Sequence, residues 1–216
     1  LLRRASAGVA GKTVTTEFAY FHPGKTRNPH NTAHTPGGSS MGSAAAVADF
    51  MVPAALGTQT AASVIRPAAF CGVIGYKSSQ GAFDLGGVCG LSQSMDSLGF
   101  FVREPSDLRL LRRAYLDANA LASRQFENAP RIGLVRTPHW DEASVDTQTL
   151  LENTAAKLEA DGAGFAEITV GPADGALTEA QKTVMAFESA RARSHEVDNH
   201  PDQISDAFRA LIEDGR

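Results

Sequence analysis

From residue 105 onward the hydrophobic positions alternate between helical and strand periods. Ser106 stands where a cap would open a helix, and Leu108, Leu111, Tyr115 and Ala118 would form its inward face. Arg131–Val135 reads as a short buried strand. A second helix carries Leu151, Ala155 and Leu158 inward and ends at Asp161-Gly162. Phe165–Val170 reads as another strand. Thr178-Glu179-Ala180-Gln181 matches a capping box and predicts a helix burying Val184, Met185, Phe187 and Ala190. Ile204, Phe208, Leu211 and Ile212 mark a last amphipathic turn or two. Strand and helix in alternation predict an α/β layer architecture.

The earlier residues differ in texture. Residues 1–42 are polar and turn-rich, with Pro23, Pro29, Pro36 and Gly37-Gly38 interrupting any long element. Residues 43–104 are small, apolar and studded with glycine, the texture of closely packed backbone. The 216 residues suffice for one domain with a single core.

Charge and cysteine narrow the function classes. A formal net charge of -4 gives no electrostatic case for a nucleic acid or an anionic membrane as partner. No uninterrupted apolar run approaches the ~18 residues needed to span a bilayer. Cys71 and Cys89 lie in apolar, Gly-rich surroundings and read as small buried core residues in a reduced, cytoplasmic protein. No CxxC or HExxH spacing points to a metal.

Three stretches carry candidate chemistry. Ser6–Thr13 nearly matches a phosphate-binding loop, but it lacks the first glycine and a preceding strand, so Gly11-Lys12-Thr13 reads as the end of a strand. Gly38-Ser39-Ser40-Met41-Gly42 fits a G-x-S-x-G elbow with Ser40 as nucleophile. That elbow needs a buried strand leading into it, and Asn31–Gly37 reads as a loop. The third stretch is far longer. It runs from Gly37-Gly38-Ser39-Ser40 through Ala44–Ala48, then from Gly57-Thr58-Gln59-Thr60-Ala61-Ala62-Ser63 through Val64-Ile65-Arg66-Pro67 to Gly75-Tyr76-Lys77. Gly11-Lys12-Thr13 with Glu17-Phe18-Ala19, Asn28-Pro29, Ser94–Gly99 and Arg131-Ile132-Gly133 flank it.

In these blocks the chain resembles the amidase-signature family, nearly end to end and most densely over residues 28–104. The Gln59-Thr60 form with Ser63-Val64-Ile65-Arg66-Pro67 is similar to the free-standing amidases, relatives of the A-type subunit of glutamyl-tRNA amidotransferase. The resemblance implies an α/β/α fold with a mixed β-sheet covered by helices, of which residues 1–216 would be one partial domain. It also implies hydrolysis of a carbon–nitrogen bond by a Ser–cis-Ser–Lys triad, with no cofactor and no metal. Ser63 would be the nucleophile and Ser39 the bridging serine after a cis Gly38–Ser39 bond, its hydroxyl within hydrogen-bonding reach of Ser63. Ser40 would support them, and backbone N–H groups of Thr60, Ala61, Ala62 and Ser63 would form the oxyanion hole. Arg66 would either bind a substrate carboxylate or pair with an acid such as Asp96.

Departures from the family pattern are Ala62 where glycine is usual, Met41, Ser78, and Gln59 where many members have Asp. Alanine at 62 would be strained if that position needs a positive φ. Lys77 and Asp96 read as structural, and His22, His30 and His34 as solvated. The family's catalytic lysine lies several tens of residues before the bridging serine, and Lys12 and Lys25 stand too close to Ser39 to match it. The chain therefore reads as a fragment, nearly inactive alone. The alternative is a non-catalytic remnant or an amidotransferase-type subunit with the same fold. The expected partner is a small-molecule amide; a homodimer is left open.

Overall fold

The computed structural model describes residues 2–115, 128–169 and 174–216. The chain forms two compact units, residues 1–121 with 183–216, and residues 122–182.

In the first unit, α1 (Met41–Ala48) is buried at every position but Ala46, because small and apolar residues occupy its whole circumference. It leads to β1 (Ala54–Gln59), then α2 (Ile65–Phe70), β2 (Ile74–Lys77) and β3 (Ser97–Val102). The strands form an antiparallel sheet in the order β1-β3-β2, with Ala54 opposite Val102 and Gln59 opposite Ser97. Central β3 is buried at all six residues, and its side chains divide between two cores. Phe101 joins Ala44, Val47, Ala48, Val64, Ala68 and Cys71 beneath α1 and α2. Leu98 and Phe100 join Phe83, with Leu108, Leu111 and Tyr115 of α3 (Pro105–Tyr115) packed against them. The sheet is thus covered by helices on both faces, the α/β arrangement read from the sequence. Ala118, assigned to the same helix face, lies outside the described residues.

The second unit holds β4 (Arg131–Arg136), α4 (Val145–Ala160) and β5 (Gly164–Thr169). The two strands pair in parallel, Arg131 opposite Gly164, and α4 is the crossover that such a pair requires. Asp161 caps α4, and Gly162 at φ +95° turns the chain out of it. Parallel and antiparallel pairing therefore both occur, in separate sheets among the described residues.

A last set of helices closes the chain. α5 (Asp174–Ala192) starts in the second unit and continues into the first, followed by α6 (Ser194–Asn199) and α7 (Asp206–Asp214). Ala186, Ala190, Val197, Ile204, Phe208, Leu211 and Ile212 form a third core with Leu91. Phe18 and Tyr20 pack on it, the Phe18 ring 5.0 Å from that of Phe208.

Several local expectations are corrected. α3 begins at Pro105, so proline takes the first helical position and Ser106 lies inside the first turn rather than capping it. α5 begins at Asp174, which places Thr178–Gln181 within the helix. Its buried residues among those described are Ala186, Ser189 and Ala190, whereas Val184 and Phe187 are 40% and 48% exposed. β4 alternates between exposed and half-buried because a two-stranded sheet covers one face only, and in α4 Ala155 is buried while Leu151 and Leu158 are not. Val170, read as the end of the following strand, lies outside the described residues. Gly11-Lys12-Thr13 is exposed and joins no strand. Cys89 is exposed; only Cys71 is buried, and burial pushes its thiol pKa up. Among the described residues no helix is long and apolar enough to cross a membrane.

Candidate active site

Two loops of the first unit meet here. The first, Pro36–Ser40, enters α1. Gly37 has φ +77°, and a Cβ there would lie 3.0 Å from the Pro67 Cα, so the loop packs against the first turn of α2 in a way other residues resist. The Gly38–Ser39 peptide bond is cis, the geometry that the resemblance implies. Ser39 is buried, and its carbonyl accepts the Thr16 N–H at 3.1 Å.

Ser40 is a structural clamp. Its Oγ accepts the Thr58 N–H and donates to the Thr58 carbonyl, each at 3.3 Å. Its own N–H donates to the Ser63 carbonyl at 3.2 Å, which joins the two serine-bearing loops. Gly57 makes room for this clamp, since a Cβ there would stand 2.7 Å from the Ser40 Oγ. The segment before Ser39 is turn and bend rather than strand, so the elbow reading of Ser40 has no structural basis.

The second loop, Thr60–Ser63, connects β1 to α2. Ala61 is exposed, while Thr60, Ala62 and Ser63 are half-buried. Gln59 braces the loop from within. Its Oε1 accepts the N–H groups of Val64 (2.9 Å) and Ile65 (3.0 Å), and its Nε2 donates to the Ala61 carbonyl (2.8 Å). Those two N–H groups open α2 and would otherwise lack partners. Thr60 Oγ1 donates to Asp96, whose other oxygen accepts the N–H groups of Leu91 (2.7 Å) and Ser92 (3.1 Å). Ala62 is not among the described non-glycine residues with positive φ, which are Ser6, Phe18, Ala19 and Phe50. Alanine therefore fits at 62 without backbone strain.

Arg66, half-buried on α2, reaches back to the first loop, its Nη1 3.5 Å from the Gly38 carbonyl. It forms no ion pair with Asp96, because the Asp96 oxygens are engaged by Thr60, Leu91 and Ser92. Lys77 is exposed at the end of β2. His22, His30 and His34 are all exposed, and His30 Nε2 in addition lies 2.9 Å from the Cys71 carbonyl and ties its loop to the end of α2. Among the described residues no hydrogen bond joins the Ser39 and Ser63 hydroxyls. Catalytic hydrogen bonds often tighten only when substrate is bound.

Sequence reasoning missed two supports. Gln59 registered as a departure from a pattern and as a mark of the free-standing branch, yet a long amide at the end of a strand is also suited to reach the first N–H groups of the next helix. Asp96 registered as structural, but its contact with Thr60, 36 residues away, depends on strand register.

A model of the Amidase family matches residues 1–216. The A-type subunit of a glutamyl-tRNA(Gln) amidotransferase from Neisseria gonorrhoeae is 34% identical over 181 residues, which is 74% of this chain and 37% of that protein. Among solved structures, an amidase is similar with a TM-score of 0.81 and 28% identity, covering 94% of this chain and 46% of its own. A peptide amidase solved with the competitive inhibitor chymostatin has a TM-score of 0.75 and 29% identity, with 93% and 46% covered. The chain thus spans about half the length, or less, of the proteins it matches. It belongs to the amidase-signature family.

Proposed function

We propose that this chain carries the serine portion of a site that hydrolyses amides through an acyl-serine intermediate. Amide nitrogen donates into the carbonyl, so cleavage needs an activated nucleophile, a site for the oxyanion and a proton for the leaving amine. Ser63 Oγ attacks the carbonyl carbon, and its proton passes to Ser39 as Ser39 gives its own to a neutral lysine. That lysine is supplied from outside residues 1–216. Backbone N–H groups of the Thr60–Ser63 loop receive the oxyanion, at about 3 kcal/mol per donor in the transition state. The departing amine takes the proton back along the same path, and water then releases the acid from Ser63. A cytoplasmic setting fits the two free cysteines.

One observation carries this reading: the Ser40 N–H to Ser63 carbonyl bond, which holds the loop of Ser39 against the loop of Ser63. Arg66 deepens it. A half-buried guanidinium whose hydrogen bond goes to an uncharged carbonyl at 3.5 Å has room for a carboxylate, so Arg66 is proposed to favour amides that carry a second acid group. The amidotransferase relative favours a second reading, in which the released ammonia is passed to an acceptor rather than lost to water.

The test is a fluorophosphonate probe followed by peptide mapping. Slow labelling at Ser63, abolished by Ser63→Ala, is expected. An adduct on Ser40 would instead restore the elbow reading, and no adduct at either serine would favour a non-catalytic relative. The chain alone is expected to hydrolyse amides barely, because removing one member of a concerted triad costs orders of magnitude. Robust turnover that Ser63→Ala removes would show that a lysine within residues 1–216 serves as the base.

A further inference from the structure

The β1–β3 ladder stops at Gln59 opposite Ser97. The next positions in register are Thr60 and Asp96, and there backbone pairing is replaced by a side-chain bond, the Thr60 hydroxyl donating to Asp96. This is where β1 gives way to the Thr60–Ser63 loop, so the loop leaves the sheet held by the Gln59 amide and by Asp96. Asp96 is 4% exposed and accepts three hydrogen bonds, enough to replace the water an ionised carboxylate gives up on burial.

The far side of Asp96 is equally fixed. Its turn, Gly90–Asp96, is gripped by α5 and the residue that follows it. Glu188 accepts the Ser92 hydroxyl and the Ser94 N–H, the latter at 3.1 Å. Ser189 donates to the Leu91 carbonyl at 3.1 Å, and Arg193 Nε to the Gly90 carbonyl at 3.1 Å.

We infer that Asp96 is a positioning residue for the oxyanion hole, and that the 90–96 turn is a strut transmitting the placement of α5 to Thr60. The inference rests on the proposed role of the Thr60–Ser63 loop. Losing the bond leaves Ser63 and its surroundings chemically intact but lets the N–H groups of the loop drift from the position where the oxyanion forms. Small displacements there are costly, because fixed donors contribute only when already aimed at the developing charge.

The experiment uses the 216-residue chain with Asp96→Asn, Thr60→Val, Thr60→Ser and Ser78→Ala. Ser78 provides the control, since its hydroxyl makes a buried bond to the Leu98 carbonyl of the same sheet from the β2 side of β3, opposite β1. Two quantities are read: the fluorophosphonate labelling rate at Ser63 and amide hydrogen exchange across residues 60–63. Asp96→Asn and Thr60→Val are each expected to slow labelling about tenfold and to speed exchange in that segment by a similar factor. Thr60→Ser, which keeps the hydroxyl, restores both, and Ser78→Ala changes neither. If Asp96→Asn does not fold, Thr60→Val alone decides. Unchanged exchange at 60–63 in Thr60→Val, or equal losses in Ser78→Ala, would overturn the strut. If the unsubstituted chain shows no labelling at all, the proposed function fails, and the exchange measurement still decides the strut by the same criterion.

Discussion

Arg66 sits three residues after Ser63 with its guanidinium directed at the Gly38 carbonyl, and its two roles make different kinetic demands. As a carboxylate receptor it holds a substrate acid with a planar fork that lysine cannot reproduce. In any form of the protein that turns amides over, Arg66→Lys should then lower kcat/KM about tenfold or more for amides bearing a carboxylate and little for neutral ones, a loss of roughly 1.4 kcal/mol on the acidic class. As a brace it would depress both classes equally and lower the melting temperature; equal loss would sink the carboxylate role. At this scale the sequence was informative where the motif is long. The cis Gly38–Ser39 bond follows from a run of matched residues. The partners of Asp96 do not, because Thr60 is 36 residues away and only the register of β1 on β3 brings them together.

The elements show the same division. The helix of α4, its stop at Asp161-Gly162, and the apolar face of α7 were readable, since each is a local period ended by a local signal. The start of α5 was not, because a sound capping box lies four residues inside a helix that begins at Asp174. Glu188 on α5 provides an element-level test. Burial pushes its carboxyl pKa up, but hydrogen bonds from Ser92 and Ser94 outweigh this and leave it below the ordinary carboxylate value. A depressed folded-state pKa means that the stabilisation is complete above the unfolded value of about 4.3 and is lost as pH falls through the lower folded value. The melting temperature should therefore drop in that acid window, and Glu188→Gln should flatten the drop while weakening the 90–96 turn near neutrality. An unchanged acid profile in Glu188→Gln would refute the clamp.

At the scale of the whole molecule, the first unit is closed by its two ends. Phe208 is fully buried on α7, with Phe18 and Tyr20 against it, and Glu17 accepts the Ser205 N–H at 3.1 Å where α7 begins. Phe208→Ala removes a buried ring from this junction and should cost roughly 3–5 kcal/mol, a fall in melting temperature of roughly 6–20 °C. A change under about 2 °C in thermal denaturation would show that the two ends fold independently of one another. Thr16, adjoining Glu17, donates to the Ser39 carbonyl, so this closure also bears on the site. The central claim is that Ser63 becomes acylated. Its most direct measurement is mass spectrometry of the chain after brief exposure to an activated acyl ester, with the modified peptide sequenced. The account predicts one acyl group on Ser63, absent in Ser63→Ala and retained in Ser40→Ala if that variant folds. An acyl group on Ser40, or acylation undiminished by Ser63→Ala, would contradict it.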